Sequence, residues 1–282
     1  MKHTKKEFET MIKANSAMFY EPMPEWAKEL YPVITLNVLK SFGFSATIDH
    51  NGKMCGMQSL STSCISNPIC RKRIENAYKK VMPDFSLDTA TNEQIKEARA
   101  GLKKLLAENP YRTDISICGL CFSYEQQNVF TSMTDPLTKN ADILNNGIIH
   151  PDYIPFINAL YFRFESFGDF ASVNAAINAI HFAERNPQTT FGTWSKNMRF
   201  FKKAYETIQK PKNIVMIKSS QYINKPVSIT KTETFIDKTF TVYMPEYAKK
   251  HNIRINCGAR ACMTCLKCYK AGNTENINEL LK

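Results

Sequence analysis

The alternation of apolar and polar residues is most regular from residue 159 onward. Strand-like runs at Leu160–Glu165, Thr189–Trp194 and Asn213–Lys218 enclose two helical runs, Ala171–Arg185 and Met198–Ile208. The order strand, helix, strand, helix, strand is typical of right-handed βαβ units that build a parallel sheet. The third strand-like run is almost wholly apolar, as expected for a parallel strand that is buried on both faces.

The remaining chain gives weaker signals. Thr91, with Gln94 three residues later, predicts a capping box at the start of one helix. The polar stretch 226–243 favours β structure. Helices are predicted at 5–15, Glu25–Leu30, Cys70–Val81, Thr91–Glu108, Phe122–Met133, Pro245–His251 and Glu275–Leu281, and strands at Ser45–His50, before an Asn51-Gly52 turn, and at Asp114–Ile117.

These elements together predict the fold class. We expect an α/β fold, a partial or irregular β/α barrel with parallel strands, an N-terminal helical elaboration and a C-terminal cysteine-rich lobe. The expected divisions are an N-terminal helical region with the first cysteine pair (1–110), a β/α core (111–225) and a metal-binding segment packed on that core (226–282).

Charge and hydropathy narrow the choice of partners. The net charge of +11 favours nucleic acid, although a solvated lysine-rich surface explains it equally well. No window approaches the roughly 20 apolar residues that span a bilayer, so no membrane partner is expected. The basic N-terminus lacks the apolar stretch of a signal peptide, which predicts a cytoplasmic protein. No phosphate-binding loop, dinucleotide fingerprint, HExxH motif or nucleophile elbow occurs.

Nine cysteines give the most specific chemical signal. In a reducing compartment disulfides are disfavoured, and clustered cysteines indicate metal ligation. Cys257, Cys262, Cys265 and Cys268 follow a C-x4-C-x2-C-x2-C spacing. Its first three cysteines match plant-type ferredoxins and its last three match the run of bacterial ferredoxins. The spacing predicts an iron–sulfur cluster, [4Fe–4S] before [2Fe–2S], and structural zinc stays the alternative because zinc also accepts four thiolates.

A second set of cysteines supplies four more candidate ligands. Cys64 and Cys70 precede the CxxC pair Cys118 and Cys121. The eight cysteines build either two sites or one site in which the C-terminal cysteines complete a set begun by the CxxC pair. Cys55 stands apart from both sets and is expected to be a buried free thiol.

Polar residues near the strand ends are the other candidates. Arg163 and Glu165 alternate along one predicted strand and are expected to share a face, as a cofactor site or as a structural ion pair. Lys196 follows the next strand, where parallel sheets place functional groups, but a surface lysine is an equal interpretation. Ser219, Ser220 and Asn224 follow the third predicted strand. They are candidates for a phosphate or ribose site, and ordinary turn chemistry explains them equally well.

Several separated motifs resemble a phage family. They are 118–121, the stretch 161–170, the stretch 191–197, Ser219-Ser220 with Asn224, and the cysteines of 257–268. In this order they resemble the phage-associated proteins of the gene-product-eighty-eight type, over about 64–270. The resemblance implies a phage or prophage setting, hence the host cytoplasm, and no particular substrate.

The pattern also loosely resembles radical-SAM enzymes, which carry a cysteine loop after the first barrel strand. That resemblance implies S-adenosylmethionine as a cofactor, with Ser166 and Gly168 at its amine and a carboxylate of Asp169 or Glu165 accepting from it. The CxxxCxxC loop of those enzymes is absent. The function expected is a phage-encoded iron–sulfur protein, with radical-SAM-like catalysis by Glu165, Asp169 and Lys196 as one form. The alternative is a zinc-stabilised protein that binds nucleic acid or a host protein.

Overall fold

A seven-stranded sheet organises the molecule, and its strands lie side by side in chain order. The computed structural model describes residues 3–17, 39–49, 52–271 and 275–281. The strands are β1 (Ala46–Ile48), β2 (Gln58–Leu60), β3 (Tyr161–Phe164), β4 (Thr190–Ser195), β5 (Ile214–Ser219), β6 (Lys238–Tyr243) and β7 (Asn276–Leu280). β1 pairs antiparallel with β2, and every later pair is parallel.

Helices of very different length flank this sheet. They are α1 (Lys5–Ala17), α2 (Pro68–Tyr78), α3 (Asn92–Glu108), α4 (Phe122–Val129), α5 (Thr134–Asn145), α6 (Val173–Arg185), α7 (Met198–Ala204), α8 (Pro245–Lys250) and α9 (Cys262–Cys265). Short 3-10 turns occupy Gly52–Met54, Ile117–Leu120, Thr131–Met133, Pro151–Tyr153 and Lys267–Tyr269.

The predicted α/β class is confirmed, and the sheet is open rather than a closed barrel. Sequential parallel strands joined by α6 and α7 are the βαβ units that the periodicity of 159–218 predicted. The sheet takes strands from each of the three predicted divisions, 1–110, 111–225 and 226–282, so the division itself stays a prediction.

The two faces of the sheet bury different partners. Along β5, Ile214 and Met216 pack into the main core with α6 and α7, whereas Val215 and Ile217 pack on the opposite face. This alternation follows from the two-residue period of a strand. Phenylalanines in mainly edge-to-face contact fill the main core, and the stacked rings of Phe164 and Phe191 lie 5.2 Å apart.

A separate apolar cluster joins α2, α3 and the turn Ile117–Leu120. The side chain of Asn67 caps α2, and Pro68 occupies its first turn, where a missing N–H costs nothing. The predicted capping box at Thr91 is confirmed at the start of α3. This cluster contains Cys64, Cys70 and Cys118, so three cysteines of the second set lie in an apolar environment.

Two local predictions are wrong, and two further elements were not predicted. Residues 276–280 form strand β7, not a helix, because pairing with β6 buries Ile277 and Glu279. Ile117 begins a 3-10 turn where a strand was expected, and only Ser116 makes a bridge, to Tyr222. α5 and the three-residue β2 were not predicted. The predicted helix Glu25–Leu30 and part of the Asn51-Gly52 turn lie outside the described residues.

Candidate metal centres

The four C-terminal cysteines surround one cavity. Cys257, Cys262, Cys265 and Cys268, the pocket group, line a space of about 380 Å³. Cys257 and Cys268 pack with Val215, Ile217 and Ile277 on the sheet face opposite α6 and α7. The pocket group therefore lies on the sheet itself and is not a detached appendage.

Local backbone geometry shapes this pocket. The amide of Cys257 donates to the carbonyl of Asn278 (3.1 Å), which fixes the first cysteine to β7. Gly258 has a φ of +105°, a conformation that a side chain would strain. α9 is a single turn, and Leu266 at a φ of +49° ends it so that the chain reverses between Cys265 and Cys268.

Two cations from distant parts of the chain approach the pocket group. The ammonium of Lys53 lies 2.6 Å from the carboxylate of Glu279 and 3.6 Å from the sulfur of Cys257. The half-buried guanidinium of Arg163 lies 4.1 Å from the ring centroid of Trp194. Its Nε is buried without a hydrogen-bond partner, and no carboxylate of the described residues lies within ion-pair distance of it.

The protonation of the pocket group follows from burial and these cations. Burial raises the pKa of Cys262, and the charges of Arg163 and Lys53 oppose that rise. Burial, reinforced by the neighbouring thiols, raises the pKa of Cys268 to about 12. Cys257, Cys262 and Cys268 thus keep their protons at neutral pH, and a metal would have to displace those protons to bind.

The other four cysteines form a second, separate group. Cys64, Cys70, Cys118 and Cys121, the edge group, come from the loop after β2, the first turn of α2 and the turn Ile117–Leu120. The neighbouring thiols of Cys121 and Cys70, together with burial, raise the pKa of Cys64 well above its ordinary value. Cys64, Cys70 and Cys118 are at most 7 % exposed. The edge group and the pocket group belong to different apolar clusters, which favours two sites over one shared site.

One feature of the CxxC turn favours a thiolate at Cys121, and a second fixes the position of the turn. The neighbouring Cys64 thiol lowers the pKa of Cys121 to about 6, aided by the backbone amides of Tyr124 and Ser123. Gly119 is required sterically, because a Cβ there would lie 2.5 Å from Leu102 and 2.6 Å from Ala77. The turn is consequently pressed against α2 and α3.

Lys196 supplies positive charge to the edge group. It directly follows β4, as predicted, and faces the thiols of Cys118, Cys121 and Cys70. Burial alone would lower the pKa of this ammonium, but the fields of Cys118 and Asp169 raise it overall. Within the described part of the chain its ammonium has no ion-pair partner at 4 Å or less.

Asp169, in the loop after β3, forms hydrogen bonds to the end of β4 and to α2. Its carboxylate accepts from the Ser195 hydroxyl (2.6 Å), the Lys196 amide (3.1 Å) and the Arg73 guanidinium (3.2 Å). Arg73, one helical turn after Cys70 on α2, was not predicted, although the i, i+3 spacing places both on one helix face. The contacts of Asp169 describe a structural anchor, and its catalytic role stays a prediction.

The strand β3 ends before Glu165, which corrects the predicted pairing with Arg163 on one face. Glu165 has a φ of +58° and accepts hydrogen bonds from the amide (3.0 Å) and hydroxyl (2.9 Å) of Thr62. Burial raises the pKa of Glu165 to about 8. Gly168, at a φ of +79°, lets the loop pass Thr62, whose carbonyl would lie 2.5 Å from an added Cβ.

The remaining predicted residues lie around the strand ends without forming one site. The Ser166 amide donates to Ser61 (3.0 Å). Ser220 donates to the carbonyl of Lys225 (2.6 Å), and Asn224, at a φ of +60°, donates to the carbonyl of Pro110 (2.8 Å). Turn chemistry accounts for these last two residues, while Ser219 is half-buried at the end of β5.

All nine cysteines are free thiols, including the buried Cys55. In the described ranges, no group of three or more histidine, cysteine, aspartate or glutamate side chains is positioned to hold a metal ion. No helix in the same ranges is long and apolar enough to cross a membrane.

Sequence reasoning missed Lys53 and Glu279, since neither lies in a motif and only the tertiary fold brings them to Cys257.

Comparison with known proteins gives one match. No curated protein and no solved structure matched the chain. Nothing in the comparisons supports the expected radical-SAM likeness. Residues 148–279 match the model of a family described as Gene product 88, and this match, a little under half of the chain, supports a phage-type gene product.

Proposed function

We propose that this protein binds an iron–sulfur cluster in the pocket of Cys257, Cys262, Cys265 and Cys268. The observation that carries the proposal is that all four cysteines line one cavity of about 380 Å³. A cluster needs thiolates around a volume that also holds its iron and inorganic sulfide. The pocket group has that arrangement, with its cysteines supplied by a single stretch of chain.

The cysteine spacing supports the same ligand class. Thiolates that converge from a short loop hold ferredoxin-type clusters, and the C-x4-C-x2-C-x2-C spacing contains both common versions. Small residues at Gly258, Ala259 and Ala261 leave the loop backbone free to turn toward the sulfurs. Of the two cluster types, [4Fe–4S] is proposed because the last three cysteines repeat the CxxCxxC run.

The charges around the pocket support a negatively charged occupant. Four thiolates give a cluster a net negative charge, which is costly in a poorly solvated site without nearby cations. Arg163 acts on Cys262 and Cys268, and Lys53 lies 3.6 Å from the sulfur of Cys257. Hydrogen bonds and charges of this kind also tune the reduction potential of a cluster.

A bound cluster would supply one-electron redox chemistry. The chain's own contribution would be to hold the thiolates, limit access of water and provide the compensating charges of Arg163 and Lys53. Radical-SAM-like catalysis at Glu165, Asp169 and Lys196, and binding of nucleic acid or of a host protein, stay predictions without a supporting contact.

The test is anaerobic purification with iron, sulfide and zinc analysis, followed by electron paramagnetic resonance of the reduced protein. We expect about four irons per chain bound by the pocket, visible charge-transfer absorption and the signal of a reduced [4Fe–4S] cluster. The double variant Cys262→Ser/Cys265→Ser should lose that iron, and the matched control Cys55→Ser should retain it. A pocket that takes only zinc, even after anaerobic reconstitution with iron and sulfide, would contradict the proposal.

A further inference from the structure

The edge group differs from the pocket group in that its four cysteines share one packed cluster of side chains. Cys64, Cys70 and Cys118 are members of that cluster, and Cys121 packs against it. A tetrahedral zinc site with Zn–S bonds of about 2.3 Å places its sulfurs about 3.8 Å apart. Cysteines held in one cluster can reach the ligand distances of one ion through side-chain rotation.

The packing around the edge group leaves little room for a larger cofactor. Cys64, Cys70 and Cys118 belong to the same apolar cluster as Ile74 and Leu102, whose side chains are at most 1 % exposed. Dense packing of this kind favours a single ion over a multi-iron cluster. Four free thiols in a dry core would otherwise contribute little beyond ordinary apolar packing.

The CxxC turn has the backbone arrangement of a metal knuckle. Gly119 between the two cysteines packs against α2 and α3, and the Cys121 amide closes the turn on the Cys118 carbonyl (3.1 Å). The hydroxyl of Ser116 accepts from the Cys118 amide (3.3 Å), which fixes the entry to the turn. Such turns present two thiolates to one metal ion.

The position of Lys196 gives a second, independent reason to expect negative charge here. A tetrathiolate zinc site carries a net charge of about –2, and burial makes such charge costly unless a cation compensates it. The Lys196 ammonium faces three of the edge thiols, while the neighbouring Arg73 is occupied by Asp169. Lys196 is thus the cation of this region that is available to the thiolates.

We infer that Cys64, Cys70, Cys118 and Cys121 bind one zinc ion, separate from the pocket group, with Lys196 as the compensating charge. The ion would join the loop after β2, the helix α2 and the turn before α4. Its role would be structural, because four protein thiolates leave zinc no open position for a substrate. The inference does not depend on what the pocket group binds.

The experiment measures zinc and iron separately in the full-length protein. We expect one zinc per chain in the wild type and in Cys262→Ser/Cys265→Ser, and at least a tenfold lower zinc content in Cys118→Ser/Cys121→Ser. Cys55→Ser is the control for loss of a buried thiol. Zinc that stays with the Cys118→Ser/Cys121→Ser protein, or iron lost from it in place of zinc, would overturn the inference. A protein without iron whose zinc follows the edge group would refute only the pocket proposal.

Two further measurements do not require the cysteine variant to fold. Cobalt(II) exchanged into the wild-type site should give the strong thiolate charge-transfer bands and visible transitions of a tetrahedral four-thiolate centre. Lys196→Met should weaken zinc binding about 10- to 100-fold in chelator competition, as expected for loss of an outer-sphere partner, and Lys196→Arg should restore most of it. An octahedral cobalt spectrum, or identical zinc affinity in Lys196→Met, would contradict the inference.

Discussion

The two cysteine groups are assembled in opposite ways. The pocket group comes from twelve consecutive residues, 257–268, and surrounds a cavity. The edge group comes from three segments between residues 64 and 121 and is packed in an apolar cluster. The pocket ligands are neighbours along the chain, whereas the edge group exists only after α2, α3 and the strand ends have come together. Mutations at the strand ends should therefore impair metal binding by the edge group and not by the pocket group.

The largest such effect is expected from Asp169→Ala. The carboxylate is 3 % exposed and accepts from Arg73, Ser195 and the Lys196 amide. Removing it leaves the Arg73 guanidinium without its carboxylate and with neutral partners such as Asn197 (2.7 Å). Breaking a buried ion pair in this way costs about 3–5 kcal/mol. Urea unfolding should show that loss, together with loss of metal from the edge group but not from the pocket group. The control is Asp152→Ala, an exposed carboxylate whose removal should change stability by less than about 0.5 kcal/mol.

The pH dependence of the free energy of unfolding should report on Glu165, in the loop that follows β3. Burial raises the pKa of Glu165 from 4.5 in the unfolded chain to about 8 in the folded protein, with Asp169 adding to the rise and Arg163 opposing it. The folded state therefore holds a proton that the unfolded state releases, so this stabilisation is complete below pH 4.5 and is lost as the pH rises through about 8.

The loss should be on the order of a few kcal/mol in total, since one pKa unit corresponds to about 1.4 kcal/mol. Glu165→Gln, which imitates the protonated side chain, should remove this decline from urea-unfolding curves taken across the same pH range. The difference between wild type and variant cancels the titration of all other groups. An equal pH slope in both proteins would show that Glu165 is ionised in the fold.

The edge group should be more sensitive to added volume than an open turn is. In Gly119→Ala the new methyl group would meet Leu102 at 2.5 Å and Ala77 at 2.6 Å. Overpacking of this kind costs about 1–3 kcal/mol. Gly147→Ala is the matched control, because nothing lies within 4 Å of a Cβ at that position. Equal unfolding midpoints for the two variants would contradict the close packing of the CxxC turn.

The difference between the groups also explains how much the sequence could predict. The pocket group is visible in the sequence because its ligands are adjacent, and the strand ends carrying Arg163 and Lys196 follow from βαβ periodicity. The separation of the two groups could not be read from spacing, since Cys64 and Cys121 meet only through packing of α2 against the turn Ile117–Leu120.

The local errors have similar causes. The segment Asn276–Leu280 has no strong period of its own, and pairing with β6 decides its structure. β2 has only three residues, too few to establish an alternation. α5 contains Pro136 in its first turn, a position that helices tolerate but that looks like an interruption in sequence. In the first two cases a tertiary contact or a short length overrode local propensity, and in the third a tolerated proline hid the helix.

The smallest predicted effect concerns the pocket group and rests on its proposed cluster. Lys53 reaches Cys257 and Glu279 from the segment before β2, so Lys53→Met removes a positive charge 3.6 Å from one ligand sulfur. Reduction adds an electron to the cluster, and a nearby cation stabilises the more negative state. The variant's reduction potential should therefore fall, by an amount on the order of tens of millivolts, as measured by redox titration. Lys103→Met makes the same charge change on an exposed position of α3 and should leave the potential unchanged. If Lys53→Met raised the potential, the uncovered Glu279 would have to be protonated or displaced, and the ion pair would not be the source of compensation at Cys257.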